Sequence, residues 1–316
     1  MGLPAGHTVR APRADDADVR ALHELVRDYT FTVTGFGDYT ADDARDELTE
    51  PGFDPELDGR FVHDVRGRLV GNGFVHRKGD SDMFGVDVVA SRADVRGWLL
   101  AWALDRAEEV GRIGGHGEVV VDHGCYRADE PLRETLAEHG FRVATTFHRM
   151  RVDHAGPHAA PAPPDGVVLR AATDDDAVRR AAHEVYTAAF ARHFGFSAEP
   201  YADWAERRER RPGFAWSQLW VADLYGRPVA MLECDDRFAE DGDGYVAEVG
   251  VLPEVRGRGI GKFLLRHAFA TDATAGRAGT VLHVDTDNVT PALGVYESVG
   301  MRAVLVIDAW RTARTT

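Results

Sequence analysis

Cysteine is nearly absent. The 316 residues contain two, Cys125 and Cys234, one in each half and neither in a CxxC spacing. No disulfide framework and no thiolate metal site can be assembled from that pair. Histidine is plentiful but never falls in the HExxH spacing that seats a catalytic zinc: His23-Glu24 and His183-Glu184 both lack the second histidine. No metal is expected. Long apolar runs are missing too, and none approaches the ~18 residues of a membrane span. The N-terminus lacks the basic-then-apolar pattern of a signal peptide. No membrane partner is expected, and the cytoplasm is the expected location. Positive charge is scarce: 37 Lys and Arg stand against 52 Asp and Glu, a net charge of -15. Nucleic-acid binding needs clustered Lys and Arg, so that partner class is excluded. An acidic field favours neutral or cationic small substrates and also serves solubility.

A chain of this length predicts two domains, and an internal repeat supports that division. Sliding the sequence by 160 positions superposes Gly6 on Gly166, Arg10-Ala11 on Arg170-Ala171, and Asp15-Asp16-Ala17 on Asp175-Asp176-Ala177. Arg20-Ala21, His23-Glu24 and Gly35-Phe36 also find identical partners, making twelve identities over 31 ungapped positions. The register returns at Gly140/Gly300 and Arg142/Arg302, and slips by one residue between, at Gly67/Gly226. Residues 154–166, HAGPHAAPAPPDG, read as a Pro- and Gly-rich linker. The expected boundaries are therefore 1–153, a linker over 154–166, and 167–316.

The second copy shows the plan of one repeat. Residues 167–171 read as a strand, and Thr173 or Asp174 caps a helix over about 175–192. A charged helical segment extends to Arg211. Residues 220–224 and 229–234 form a hairpin about Tyr225-Gly226-Arg227-Pro228. Strand 245–252, helix 259–274, strand 280–286, helix 290–298 and strands around 303–310 complete it. Antiparallel strands followed by a strand–helix–strand crossover predict an α/β (α+β) fold with a mixed, mostly antiparallel sheet flanked by helices.

The sharpest local signal is Arg256-Gly257-Arg258-Gly259-Ile260-Gly261-Lys262, between strand 245–252 and the next helix. A helix N-terminus offers free N–H groups and partial positive charge. Glycines let a phosphate approach the backbone, and the three cations add charge. This is a pyrophosphate cradle. It is not a Walker A loop, since Arg256 stands at the first glycine and Phe263 at the hydroxyl position. The dinucleotide pattern GxGxxG is not matched either.

The spacing resembles the [QR]xxGxG/A motif of the GNAT superfamily. Val249-Gly250-Val251-Leu252-Pro253, just before it, is similar to the family's fourth strand. Asp287-Asn288 and the later Ala292–Met301 segment, with Tyr296 four residues before Gly300, are similar to its closing features. The resemblance covers about residues 167–310 and implies an acetyl-CoA-dependent N-acetyltransferase acting on the amine of a small molecule. It implies a bulged fourth strand whose backbone, at Val249 and Val251, pairs with the pantetheine arm, with Asn288 nearby. It implies that Tyr296 protonates the departing CoA thiolate. The base is open among Glu248, Glu233, Asp285, Asp287 and water, with Glu248 nearest the expected acetyl position. The tandem arrangement resembles actinobacterial tandem GNAT proteins, a group that includes mycothiol synthase; no acceptor is carried across. Another acyl or aminoacyl transferase on the same scaffold and a non-catalytic acyl-CoA sensor are the competing readings.

The first copy loses these features. At the same offset Gly259 and Gly261 fall on Leu99 and Ala101, Arg258 and Lys262 on Trp98 and Trp102, Asn288 on Ala128, and Tyr296 on Leu136. The first half is expected to keep the fold without the site.

Overall fold

The computed structural model describes residues 2–37, 39–191, 196, 198–211, 213–285 and 292–316. The chain forms two compact units, Met1–Thr146 with Val306–Thr316, and Phe147–Leu305.

The first unit runs β1 (Thr8–Arg10), α1 (Asp16–Thr34), α2 (Ala41–Thr49), α3 (Pro55–Asp58), β2 (Gly59–His63), β3 (Leu69–Arg77), β4 (Met83–Ala90), α4 (Ala93–Ile113), β5 (Glu118–Tyr126) and α5 (Glu130–Glu138). Asp15 caps α1 by accepting from the Ala17 and Asp18 N–H groups, and Gly35 ends it in the left-handed region at φ 85°. Strands β1 to β4 are antiparallel neighbours, and β4 pairs parallel with β5 across α4.

The next strand, β6 (Arg142–Asp153), leads into the second unit. There follow β7 (Val167–Ala171), α6 (Asp176–Phe190), α7 (Tyr201–Glu209), β8 (Leu219–Leu224), β9 (Arg227–Asp235), β10 (Asp243–Val251), α8 (Ile260–Thr274), β11 (Gly279–Asp285), α9 (Ala292–Ser298) and β12 (Arg302–Thr315). Strands β7, β8, β9 and β10 are antiparallel neighbours, and β10 pairs parallel with β11. Asp175, one residue beyond the expected cap, caps α6 by accepting from the Ala177 and Val178 N–H groups.

The division between units departs from a cut at 153/154 for a topological reason. Residues 147–153 of β6 pair antiparallel with all of β11, from Phe147↔Asp285 to Asp153↔Gly279. Met150 is fully buried in the second unit's core with Met231, Leu264 and Leu282. Reciprocally, residues 307–315 of β12 pair with β5, and Trp310 joins the core of the first unit. Each repeat thus gives its last strand to the other's sheet. Identity along the sequence marks the ancestry of a strand, whereas compactness marks where its side chains are buried.

Candidate active site

The glycine loop builds a helix start with no side chain in the way. Gly257 and Gly259 sit at φ 78° and 81°, in the left-handed region that side-chain-bearing residues resist. Gly259 is the N-cap of α8 and supplies no side-chain cap. The first N–H groups of the helix are therefore left to an incoming acceptor. The Arg256 Nε donates to the Val251 carbonyl oxygen at 3.0 Å, tying the loop to the end of β10.

Strands β10 and β11 pair over only three positions, Asp243↔Gly279 to Tyr245↔Val281. Beyond Tyr245 no pairing joins them among the described residues, and the register of β10 against β9 shifts between Val246 and Glu248, so that Ala247 is a bulge. Leu252 N–H bonds back to the Val229 carbonyl. By alternation, Val251 and Val249 direct their backbone groups the other way, into the opening. A strand edge with no strand partner, where Arg256 takes the Val251 carbonyl, is what an extended amide-bearing chain can pair with.

These features line one cavity of about 810 Å³. Its walls include Val249, Gly250, Val251, Arg256, Gly257, Gly259, Ile260, Gly261 and Lys262, together with Glu248, Asp285 and Tyr296. Phe147, from β6, is also in the wall. Arg258 is not in the wall; its side of the loop is exposed. Asp287 and Asn288 lie outside the described residues.

The ionisable groups are tuned in opposite senses. Burial, and then the neighbouring Glu233 carboxylate, push Glu248 up to about 7, against the pull of Arg208, Arg211 and Arg207. Burial, and then the charge on Glu248, push the Tyr296 phenol up to about 12. At neutral pH the pair therefore holds a half-ionised carboxyl and a protonated phenol, the complement required of a base and an acid. Glu233 has a different station. It is fully buried, accepts from Arg208 Nε at 2.6 Å, and is also paired with Arg211. Arg208, itself fully buried, lies 3.9 Å from the centroid of Trp204. Glu233 is absent from the cavity wall and anchors α7 onto β9. Its location among two guanidiniums was not legible from sequence because both partners come from a charged segment, α7 and the residues just after it, that reads as solvated.

The first unit differs at the matching positions. Helix α4 begins at Ala93, so Arg96-Gly97 and the residues matching the glycine loop lie inside the helix. Their N–H groups are spent on the helix ladder, beginning with Arg96 N–H to Arg92 at 3.0 Å. Leu99, in place of a glycine, is fully buried. Strands β4 and β5 also part after three pairs, yet β4 keeps an unbroken register against β3. Ser91 N–H bonds to Val70 just as Leu252 does to Val229, so Val88 is the counterpart of Val249. The Val88 N–H is already taken: it donates to His123 Nε2 at 3.3 Å, while His123 Nδ1 donates to the Gly124 carbonyl at 2.6 Å. A buried imidazole thus occupies the backbone edge that is open in the second unit.

Comparison with known proteins agrees with this geometry. Residues 178–301 match the model of the Acetyltransferase (GNAT) family. The mycothiol acetyltransferase of Amycolatopsis mediterranei is 30% identical over 279 residues, which cover 82% of this chain and 86% of that protein. The mycothiol acetyltransferase of Thermobispora bispora is 31% identical over 216 residues, covering 65% of this chain and 66% of that protein. The match to the Streptomyces avermitilis mycothiol acetyltransferase, at 33% identity, spans 56% of its length. Among solved structures, a GCN5-related N-acetyltransferase from Sphaerobacter thermophilus superposes with a TM-score of 0.84 at 21% identity, covering 100% of this chain and 98% of that one. A tandem GNAT protein from the clavulanic acid biosynthesis pathway gives a TM-score of 0.69 at 16% identity, covering 97% and 98%. At those identities the structures speak for the fold.

Proposed function

Because the chain belongs to the GNAT acetyltransferase family, we propose that its second unit transfers the acetyl group of acetyl-CoA to the amine of a small molecule, and that its first unit binds no acyl-CoA. The observation that carries this reading is the unzipped and bulged edge of β10 opening beside a glycine-led helix start, in one cavity with Glu248 and Tyr296. Residues 256–262 hold the pyrophosphate, and the Val249 and Val251 backbone pairs with the pantetheine. When bound, acetyl-CoA supplies an activated carbonyl carbon with a thiolate leaving group. Glu248 takes the proton from the acceptor's ammonium and frees the nitrogen lone pair. As the new C–N bond forms and the C–S bond breaks, Tyr296 gives its proton to the departing sulfur. Burial serves both roles, since it keeps the carboxyl near neutrality and the phenol protonated.

An enzyme is favoured over an acyl-CoA sensor because a sensor has no use for an acid and a base tuned apart at the acetyl end. The relatives' own acceptor, named in mycothiol acetyltransferase, belongs in the substrate panel on the strength of the 86% coverage of one such protein. The test has two parts. Calorimetry should find one acetyl-CoA per chain, with binding abolished by Gly259→Val, because valine resists φ 81° and its side chain would stand over the helix N–H groups. An amine panel with acetyl-CoA, read as free thiol, should then yield an acceptor. Two equivalents bound, or binding indifferent to Gly259→Val, would refute the assignment of the site.

A further inference from the structure

The bulge at Ala247 has a stereochemical effect on β10. Tyr245 lies opposite Asp235 and Glu248 opposite Glu233 on β9. Those partners are two residues apart and share a face of the sheet, so Tyr245 and Glu248 share it too, although three residues separate them in sequence. Both line the cavity. Two strand positions, ~7 Å, separate them along the strand direction.

The proton on the Tyr245 hydroxyl is directed by its neighbours. Arg149, on β6, donates its Nε–H to His283 Nε2 at 3.1 Å. A guanidinium cannot accept, so Nε2 carries the lone pair. A neutral imidazole then has its hydrogen on Nδ1, and Nδ1 lies 3.2 Å from the Tyr245 hydroxyl. The imidazole is neutral: burial, and then the charges on Arg149 and Arg237, press His283 down to about 3. Nδ1 therefore donates to the Tyr245 oxygen, which leaves the phenol's own O–H with no acceptor on the histidine. Burial pushes the Tyr245 phenol up to about 12, so the proton stays in place. Among the described residues His283 is the only hydrogen-bond partner of this hydroxyl. The remaining charged neighbours are Arg237, 5.3 Å from the Tyr245 ring centroid, and Asp235, which accepts from the Arg237 backbone N–H.

We propose that Tyr245, oriented by His283 and Arg149, is the anchor for the acceptor: it donates a hydrogen bond to an oxygen on the substrate, restricting acceptors to amines that carry a hydroxyl, carbonyl or carboxylate oxygen a short chain away from the nitrogen. The inference rests on Glu248 marking the amine end of the proposed acetyltransferase site. Arg149 stands on a strand of the first repeat that pairs with β11, and there it fixes the tautomer on which the anchor depends.

The test uses the full-length protein and matched acceptors: alkylamines of three to six carbons, and the ω-amino alcohols and ω-aminocarboxylates of the same lengths. Acetylation is read as free CoA thiol. One hydrogen bond, at about 0.5–1.5 kcal/mol, corresponds to about a two- to tenfold preference. The wild type should show that preference for the oxygen-bearing amines at one optimal length. Tyr245→Phe should erase it by raising KM for those amines while leaving alkylamine turnover and acetyl-CoA affinity unchanged. The relative performance of alcohols and carboxylates identifies the oxygen. A wild type without preference, a Tyr245→Phe variant that slows both series equally, or acetylation of no member while acetyl-CoA still binds would overturn the proposal. Failure of the wild type to bind acetyl-CoA would instead overturn the reading of the cavity itself.

Discussion

Replacing Glu248 with glutamine separates catalysis from stability at a single position. The side chain is half-buried at the cavity wall, and its carboxyl is pushed up to about 7, first by burial and second by Glu233. As a base it must be ionised, so kcat/KM of the wild type should fall about tenfold per pH unit below that value. Glutamine cannot take a proton. Glu248→Gln should lower kcat by about 10²–10⁴-fold and abolish the acid limb near pH 7. Stability should move the other way. A carboxyl whose folded value is raised binds more protons folded than unfolded between roughly pH 4.5 and 7, so stability falls as pH rises through that window. The full rise corresponds to ~3 kcal/mol at 1.36 kcal/mol per tenfold change in proton affinity. The group faces a solvent-accessible cavity, so about 1–2 kcal/mol is the expected cost. That is about 2–8 °C in Tm for a unit of this size. Melting curves of both proteins at pH 8 and pH 5 should show the glutamine variant more stable at pH 8, with the gap closing at pH 5. A variant that keeps the acid limb, or a stability gap independent of pH, would refute the reasoning.

Tyr296→Phe removes only a hydroxyl from a side chain packed against the second unit's core. It should lower kcat by about 10²–10⁴-fold and leave acetyl-CoA affinity nearly unchanged by calorimetry; a matched loss of affinity would make Tyr296 a binding residue. Residues 160–316 expressed alone should aggregate or lack activity, because β11 loses its β6 partner, the core loses Met150, the cavity loses Phe147, and β12 loses β5. The absence of a buried methionine alone costs about 2–5 kcal/mol. A soluble, fully active fragment would show that the exchanged strands are dispensable.

Local chemistry was legible in the sequence to the extent that it is written in consecutive residues. The left-handed glycines at 257 and 259 and the helix opening at Ile260 follow from residue type and order. So does the loss of the cradle at Leu99 and Ala101, which lie inside the helix that begins at Ala93. What escaped the sequence is pairing between distant segments. Glu233 reads as a candidate base until Arg208 and Arg211 are seen to enclose it. His123 gives no periodic or motif signal, yet its buried ring accepts from the Val88 N–H. Strand β6 belongs by descent to the first repeat and by burial to the second unit, because a strand's partner is set by which sheet edge its apolar face can cover. The same exchange makes the second cavity depend on a strand of the first repeat. Removing the first repeat, residues 1–153, would strip the second cavity of the wall residue Phe147 and of Arg149, which donates to His283 and through it orients Tyr245. The second cavity therefore needs the first repeat's strand whether or not the first repeat binds anything.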